Sequence, residues 1–151
     1  MKQMITYQQE FLLTVEKDIL PLLEEDYQEI EYNKNLRSLD PDWETYLTLE
    51  EHGKLKIFSC RDNGKLVGYL TVIVGVDLHD KKSKVVAQDI LFLSKDYRKG
   101  RTGIKLVKFA EDCLREDGYK SFVITTTTEK AGRLMSALGY SKTEERFEKE
   151  L

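Results

Sequence analysis

Tyr97-Arg98-Lys99-Gly100-Arg101-Thr102-Gly103-Ile104-Lys105-Leu106-Val107 joins a strand-like run to a helix-like one, and the fold turns on how it is read. Gly100 and Gly103, with small or polar residues beside them, let backbone N–H groups converge on an anion. The helix starting there adds about half a positive charge at its N-terminus. Arg98, Lys99, Arg101 and Lys105 surround the same point. This is the composition of a phosphate or pyrophosphate cradle; the plainer alternative is a solvated basic helix start with a turn glycine. The spacing is neither the Gly-x-x-x-x-Gly-Lys of nucleotide P-loops nor the Gly-x-Gly-x-x-Gly of dinucleotide sites.

Downstream, Leu106, Val107, Ala110 and Leu114 predict a helix over 103–116, ended by Gly118. Phe122-Val123-Ile124 predicts a short buried strand. Thr126-x-x-Glu129 has the form of a capping box, and Ala131, Leu134, Met135 and Leu138 recur at helical spacing until Gly139. The charged stretch from Tyr140 to Leu151 reads as extended, a final strand. Upstream the period becomes two. Residues 85–93 read as a strand, and 54–61 and 65–76 flank Asp62-Asn63-Gly64, the strongest short-range hairpin signal. Together they predict an antiparallel meander. Before it, Phe11, Val15 and Ile19 predict an amphipathic helix from Tyr7 to about Leu20, which Pro21 should kink or restart on the way to Tyr32. Asp40-Pro41 predicts the cap and first turn of a short helix presenting Trp43, Tyr46 and Leu47 and ending near His52-Gly53. This order predicts an α+β fold: a mixed, mostly antiparallel sheet flanked by helices, a single domain over 1–151.

With 151 residues, 40% hydrophobic and 34% charged, the chain is neither a disordered tail nor a disulfide scaffold. The most apolar stretch, Val67 to Val76, is broken by Gly68, Tyr69, Thr71 and Gly75, short of the roughly 18 residues of a membrane span. Met1 to Thr6 lacks the basic start and apolar core of a secretory signal, so the expectation is a cytoplasmic protein with no membrane partner. Cys60 and Cys113 have no metal-ligand spacing and read as core thiols. The net charge of −3 conceals a split. Residues 1–52 carry 4 basic and 13 acidic side chains, a net of −9, whereas 53–151 carry 20 and 14, a net of +6. Two oppositely charged ligand faces are expected. The overall acidity argues against a nucleic-acid partner for the basic run from Lys95 to Lys108.

The loop resembles the signature of the GCN5-related N-acetyltransferases, in which Arg or Gln is followed after two residues by Gly, and after one more by Gly or Ala. Arg98, Arg101 and Gly103 stand at those positions; Arg101 replaces the first signature glycine and Gly100 precedes it by one. Leu39-Asp40-Pro41-Asp42-Trp43, the Asn63-Gly64 hairpin, Asp89 followed by Leu91-Phe92-Leu93, and Leu138-Gly139-Tyr140 are similar to family features in the same order. The likeness is nearest to small members encoded by bacteriophages.

The resemblance implies an acetyl-CoA-dependent transfer to a primary amine by direct attack in a ternary complex. It implies a cofactor site at Leu91, Phe92, Leu93, Arg98, Lys99, Gly100, Arg101, Thr102, Gly103 and Ile104. The reaction also needs an oxyanion donor, which a backbone N–H near Leu91 to Leu93 would supply provided a local bulge leaves it unpaired. Asp89 stands where many members carry a glutamate base, acting through water; a sheet-edge aspartate with structural hydrogen bonds is its other reading. The family's tyrosine acid lies four residues before the glycine of Leu138-Gly139-Tyr140, where this chain has Met135, which leaves water, Ser136 or Tyr140 to assist the thiolate. Tyr27, Glu29 and Glu31 lie in the region this fold uses to close the acceptor side, although such a charge run is ordinarily a solvated helix face. The acceptor implied is a cationic small molecule or a protein lysine. Dimers are common in the family, which admits a homodimer. A second function fits the same features: a catalytically silent protein of this fold that binds a host protein.

Overall fold

The computed structural model describes residues 2–29 and 38–151. Its sheet has the order β1-β2-β3-β4-β5, with β1 at Ile5–Glu10, β2 at Leu55–Asp62, β3 at Lys65–Val74, β4 at Val85–Leu93 and β5 at Ser121–Val123. The first four strands are antiparallel neighbours, and β5 joins β4 in parallel. Asn63 and Gly64 turn the β2–β3 hairpin at φ 49° and 89°, the mirror-image turn that matches strand twist. The expected meander is present, with β4 at the expected residues.

The N-terminal segment departs from expectation. Residues 5–10 are a strand on the edge of β2, where Ile5 and Tyr7 alternate onto the core, and the helix begins only at Leu12. The true apolar stripe of α1 (Leu12–Glu29) is Leu12, Val15, Ile19, Leu22 and Leu23, whereas Phe11 is 74% exposed at the junction. The helix neither stops nor restarts at Pro21, which lies on its exposed side, where water can serve the carbonyl that loses its donor. Ile30, Glu31 and Tyr32 lie outside the described residues.

Local capping also shifts by two residues in both short helices. α2 (Trp43–Glu51) is capped by Asp42, whose Oδ1 accepts from Thr45 N at 3.0 Å, rather than by Asp40. α4 (Glu129–Ala137) is capped by Thr128, whose Oγ1 accepts from Ala131 N at 3.1 Å, rather than by Thr126. In each case the nearer polar side chain reaches the first free N–H groups. α3 (Thr102–Glu116) begins one residue before the expected helix. β3 stops at Val74, two residues short, and β5 starts one residue early. The expected last strand is absent: among the described residues none after Ala137 is in a strand, and Ser141–Leu151 is exposed.

Two apolar layers hold the helices. α1 and α2 cover one face of the sheet through Leu12, Val15, Ile19, Leu22 and Leu23 against Ile57, Leu66, Tyr69 and Phe92. On the other face, α3 packs Leu106, Ala110 and Leu114 against Phe58, Leu70, Val72 and Val86. Cys60 is buried in this layer, and burial first, then the charge of Asp62, pushes its thiol up to about 11, an inert core thiol. The charge split thus falls on opposite faces of one sheet: acidic α1 and α2 on one, the basic start of α3 on the other. Among the described residues no helix is long and apolar enough to cross a membrane.

Two bulges decide which side chains face which layer. One lies at Cys60/Arg61, opposite the Val67 step of β3; the other lies between Thr71 and Val72, where Asp89 is the extra residue of β4. The second reverses the strand's facing. Val86 points to the α3 layer, and Ile90 and Phe92 point to the α1–α2 layer. Gly68 lets β3 and β4 close over this stretch, since a Cβ there would lie 2.9 Å from the Phe92 carbonyl oxygen and 2.6 Å from Leu93 Cδ1.

Candidate active site

β4 and β5 are paired only as far as Ala87 and Val123. Beyond that point Thr125 N donates instead to the Gln88 side chain, at 2.9 Å, and the sheet opens. Ile90 N donates toward β3, to Thr71 Oγ1 at 3.1 Å, and Ser94 N donates to Val67 O at 2.8 Å. Strand alternation therefore turns the main-chain groups of Leu91 and Leu93 to the open edge. These groups are left without a strand partner by the end of the β4–β5 pairing. The bulge itself lies at Asp89, earlier than expected, and the departure of β5 exposes the groups after it.

The loop after β4 passes through a 3-10 turn at Lys95–Tyr97 and leads into α3. Gly100 adopts φ +116°, a conformation natural to glycine alone, and Arg101 caps the helix without a side-chain bond. The first intrahelical bond runs from Lys105 N to Arg101 O, so the N–H groups of Thr102, Gly103 and Ile104 precede the helical ladder. Lys99, Arg101 and Lys105 are exposed around them. Tyr7 Oη fixes the start of the helix by donating to Thr102 O at 3.1 Å. An open strand edge leading to an uncapped, cation-ringed helix start suits a long ligand with amide groups at one end and a pyrophosphate at the other, as coenzyme A has.

Arg98 has a different position. Its Nε donates to Leu93 O at 2.6 Å, one terminal nitrogen donates to both Glu29 carboxylate oxygens at 2.9 and 3.0 Å, and the guanidinium lies over the Phe92 ring at 5.3 Å. Two residues expected at separate sites, Arg98 for the cofactor and Glu29 for the acceptor, are therefore partners. Their pairing ties the end of α1 to the end of β4. Tyr27 lies half-buried in the last turn of α1.

Asp89 sits on the α1–α2 face. Its Oδ2 accepts from Tyr46 Oη at 2.9 Å and from Thr71 Oγ1 at 3.1 Å. Burial and then the Asp89 charge push the Tyr46 hydroxyl well above its ordinary range, so it stays a donor. Tyr140 lies on the other face: its hydroxyl donates to Glu111 Oε1 on α3 at 2.7 Å, and its ring meets Phe122 edge-on. Burial and the bond to Glu111 raise its pKa too. Met135 is half-buried on α4.

Sequence reasoning passed over two polar groups on the α1–α2 side of the sheet. Tyr69 on β3 is fully buried, and its hydroxyl is without a hydrogen-bond partner. Asp26 is half-buried on α1, its carboxyl raised by burial and by the charge of Glu29, against the pull of Arg98. The signal for Asp26 was an acid three and four residues after Leu23 and Leu22, on the stripe that faces the sheet.

The profile of the acetyltransferase (GNAT) family matches residues 17–140. A search of curated protein sequences finds no match. Among solved structures, an aminoglycoside acetyltransferase from an uncultured soil metagenomic sample superposes with a TM-score of 0.77 at 16% identity, over 98% of this chain and 99% of that one. A ribosomal-protein-alanine N-acetyltransferase from Brucella melitensis biovar Abortus 2308 gives 0.73 at 15% identity, over 98% and 100%. AAC(6')-Iy, solved with a bisubstrate analog of CoA and acetylneamine, gives 0.72 at 16% identity, over 98% of each chain. At these identities the structures speak to the fold, and the family profile, spanning most of the chain, speaks to kinship. Fold, open strand edge and profile agree: the chain belongs to the acetyltransferase (GNAT) family and is an N-acetyltransferase that uses acetyl-CoA.

Proposed function

We propose that the protein transfers acetyl from acetyl-CoA to a cationic primary amine that enters between α1, α2 and the Asp89 bulge. The observation that carries this reading is the opening of the sheet after Ala87 and Val123, which sets Leu91 and Leu93 beside the uncapped start of α3. When bound, acetyl-CoA supplies an activated acetyl group as its thioester. Leu91 and Leu93 hold the pantetheine arm through main-chain hydrogen bonds. Lys99, Arg101 and the N–H groups of Thr102, Gly103 and Ile104 hold the pyrophosphate. Arg98, fixed by Glu29 and Leu93, is a positioning residue that sets the end of β4.

On the acceptor side, the acidic helices concentrate cations, and Asp89 takes the proton the amine sheds. The nitrogen attacks as a neutral amine and becomes far more acidic as it bonds to the carbonyl carbon, which lets a carboxylate take its proton. The missing tyrosine acid matters less than it would for an alkoxide. A thiol of ordinary pKa about 8.5 departs as thiolate near neutral pH without a proton donor. Positioning supplies most of the acceleration, about 7 to 11 kcal/mol in favourable cases.

Met135 and the engaged Tyr140 favour the competing reading of a silent binding protein, which predicts cofactor binding with no transfer to any amine. Thermal unfolding with acetyl-CoA tests the common ground. At 100 times its dissociation constant the ligand should add about 2.7 kcal/mol, raising Tm by roughly 5 to 11 °C for a chain of this size. Arg101→Glu should remove most of that shift while leaving the unliganded Tm unchanged. A wild-type Tm that stays fixed at millimolar acetyl-CoA would refute both readings.

A further inference from the structure

β1 lies at the far edge of the sheet from β5, yet one of its side chains reaches the loop that leads into α3. Tyr7 pairs with Cys60 across β1 and β2, and its ring lies 6.3 Å from that of Phe109 on α3. A phenylalanine would serve that packing equally. The hydroxyl adds something else, for it donates to Thr102 O at 3.1 Å, a partner 95 residues away in the chain. Burial, and after it the neighbouring Cys60, push its pKa up to about 12, so it stays a donor at neutral pH.

The carbonyl it meets is one half of a peptide group whose other half is the N–H of Gly103, and resonance couples the two. A donor on the oxygen draws charge from the nitrogen, which strengthens the Gly103 N–H as a donor and fixes the plane in which it points. That N–H precedes the helical ladder of α3. The entry to the loop is pinned separately: Tyr97 Oη donates to Asp62 Oδ2 at 2.8 Å, and Asp62 Oδ1 accepts from Met4 N at 3.0 Å, just ahead of β1. Both ends of the loop therefore rest on the β1–β2 edge, the entry through the Asp62 carboxylate and the exit through the Tyr7 hydroxyl.

We propose that Tyr7 is a positioning residue for the cofactor diphosphate, its hydroxyl orienting and polarising the peptide between Thr102 and Gly103 so that the Gly103 N–H is set before the anion arrives. This rests on the acetyltransferase reading of the same loop. An N–H already oriented costs less to engage than one that must be turned, so removing the hydroxyl weakens diphosphate binding and leaves the β4 edge as it was.

The test is calorimetric titration of CoA and of dephospho-CoA into wild type and Tyr7→Phe, with proton–nitrogen correlation spectra of the unliganded and CoA-saturated proteins. The variant should bind both ligands about 3- to 10-fold more weakly, since both carry the diphosphate. The Gly103 amide nitrogen should move upfield in the unliganded variant, because its peptide has lost the bond on oxygen. The Leu91 and Leu93 amides should keep their wild-type positions in both states. Tm should fall by at most about 5 °C, the cost of one hydrogen bond in a chain of this size. Wild-type CoA affinity in Tyr7→Phe, an unmoved Gly103 signal, or weakening confined to CoA would each overturn the proposal. So would Leu91 and Leu93 signals that shift with Gly103, or a larger fall in Tm, since either reduces Tyr7 to a packing residue. Failure of CoA to bind wild type would instead overturn the acetyltransferase reading beneath it.

Discussion

Asp89→Asn should lower kcat/KM for amine acetylation by about 10²- to 10⁴-fold while leaving acetyl-CoA affinity at its wild-type value. The substitution isolates proton acceptance from architecture. The amide oxygen of Asn can still accept from Tyr46 Oη and Thr71 Oγ1, the bonds that hold the bulge at 2.9 and 3.1 Å, so the strand keeps its reversal of facing. What is lost is the negative charge beside an incoming cation and the basicity that takes its proton. Steady-state thiol release over a range of amine concentrations measures the effect. An unchanged kcat/KM would reduce Asp89 to the sheet-edge structural aspartate that its sequence position equally admits.

Arg61→Leu should cost about 3 to 5 kcal/mol of folding stability, measured by urea denaturation at pH 7. Arg61 forms two 3.0 Å bonds to the Glu10 carboxylate, a third to Asp18 Oδ2 at 3.0 Å, and a fourth to Gly64 O at 2.9 Å. It thereby joins β1, α1 and the hairpin turn. The Glu10 side chain is only 6% exposed, so removing Arg61 strands a buried carboxylate rather than a solvated one. Burial alone would raise the Glu10 pKa, but the bonds from Arg61 and Ser59 outweigh it and hold the group below its ordinary value. That stabilisation is present above the ordinary carboxylate pKa of about 4.3 and is lost as pH falls through the lower folded value. In the variant only the Ser59 and Gln8 bonds oppose the burial effect, and Glu10 protonates more readily. The stability gap between the two proteins should therefore be widest at neutral pH and narrow below about pH 4.3.

The hairpin and β4 were legible because their signals are local. Asn63-Gly64 needs positive φ at both positions, and the alternation over 85–93 is bounded by polar turns. β1 was not legible. Its six residues end one position before a helix whose stripe can be counted from Phe11 as easily as from Leu12. Only pairing with β2, some fifty residues away, separates the two periods.

At the site, the basic loop could be read from composition, since glycines and cations occupy adjacent positions. The engagement of Arg98 by Glu29 could not, because the partners stand 69 residues apart. The bulge at Asp89 leaves no mark in the sequence either, because an extra residue in a strand looks like any other. Tyr69 was one apolar ring in a strand until the packing of α1 and α2 showed its hydroxyl to be alone. The opposed charges of the two halves were visible from the start, and the two helical layers of one sheet give them their places.

Backbone amide hydrogen exchange, resolved by residue, with and without CoA tests the cofactor site most directly. With CoA at 100 times its dissociation constant, exchange at Leu91, Leu93, Thr102, Gly103 and Ile104 should slow by up to about 100-fold, and the β1–β2 edge should not change. Unchanged exchange at the β4 edge and the start of α3 in CoA-saturated protein would contradict a cofactor site there.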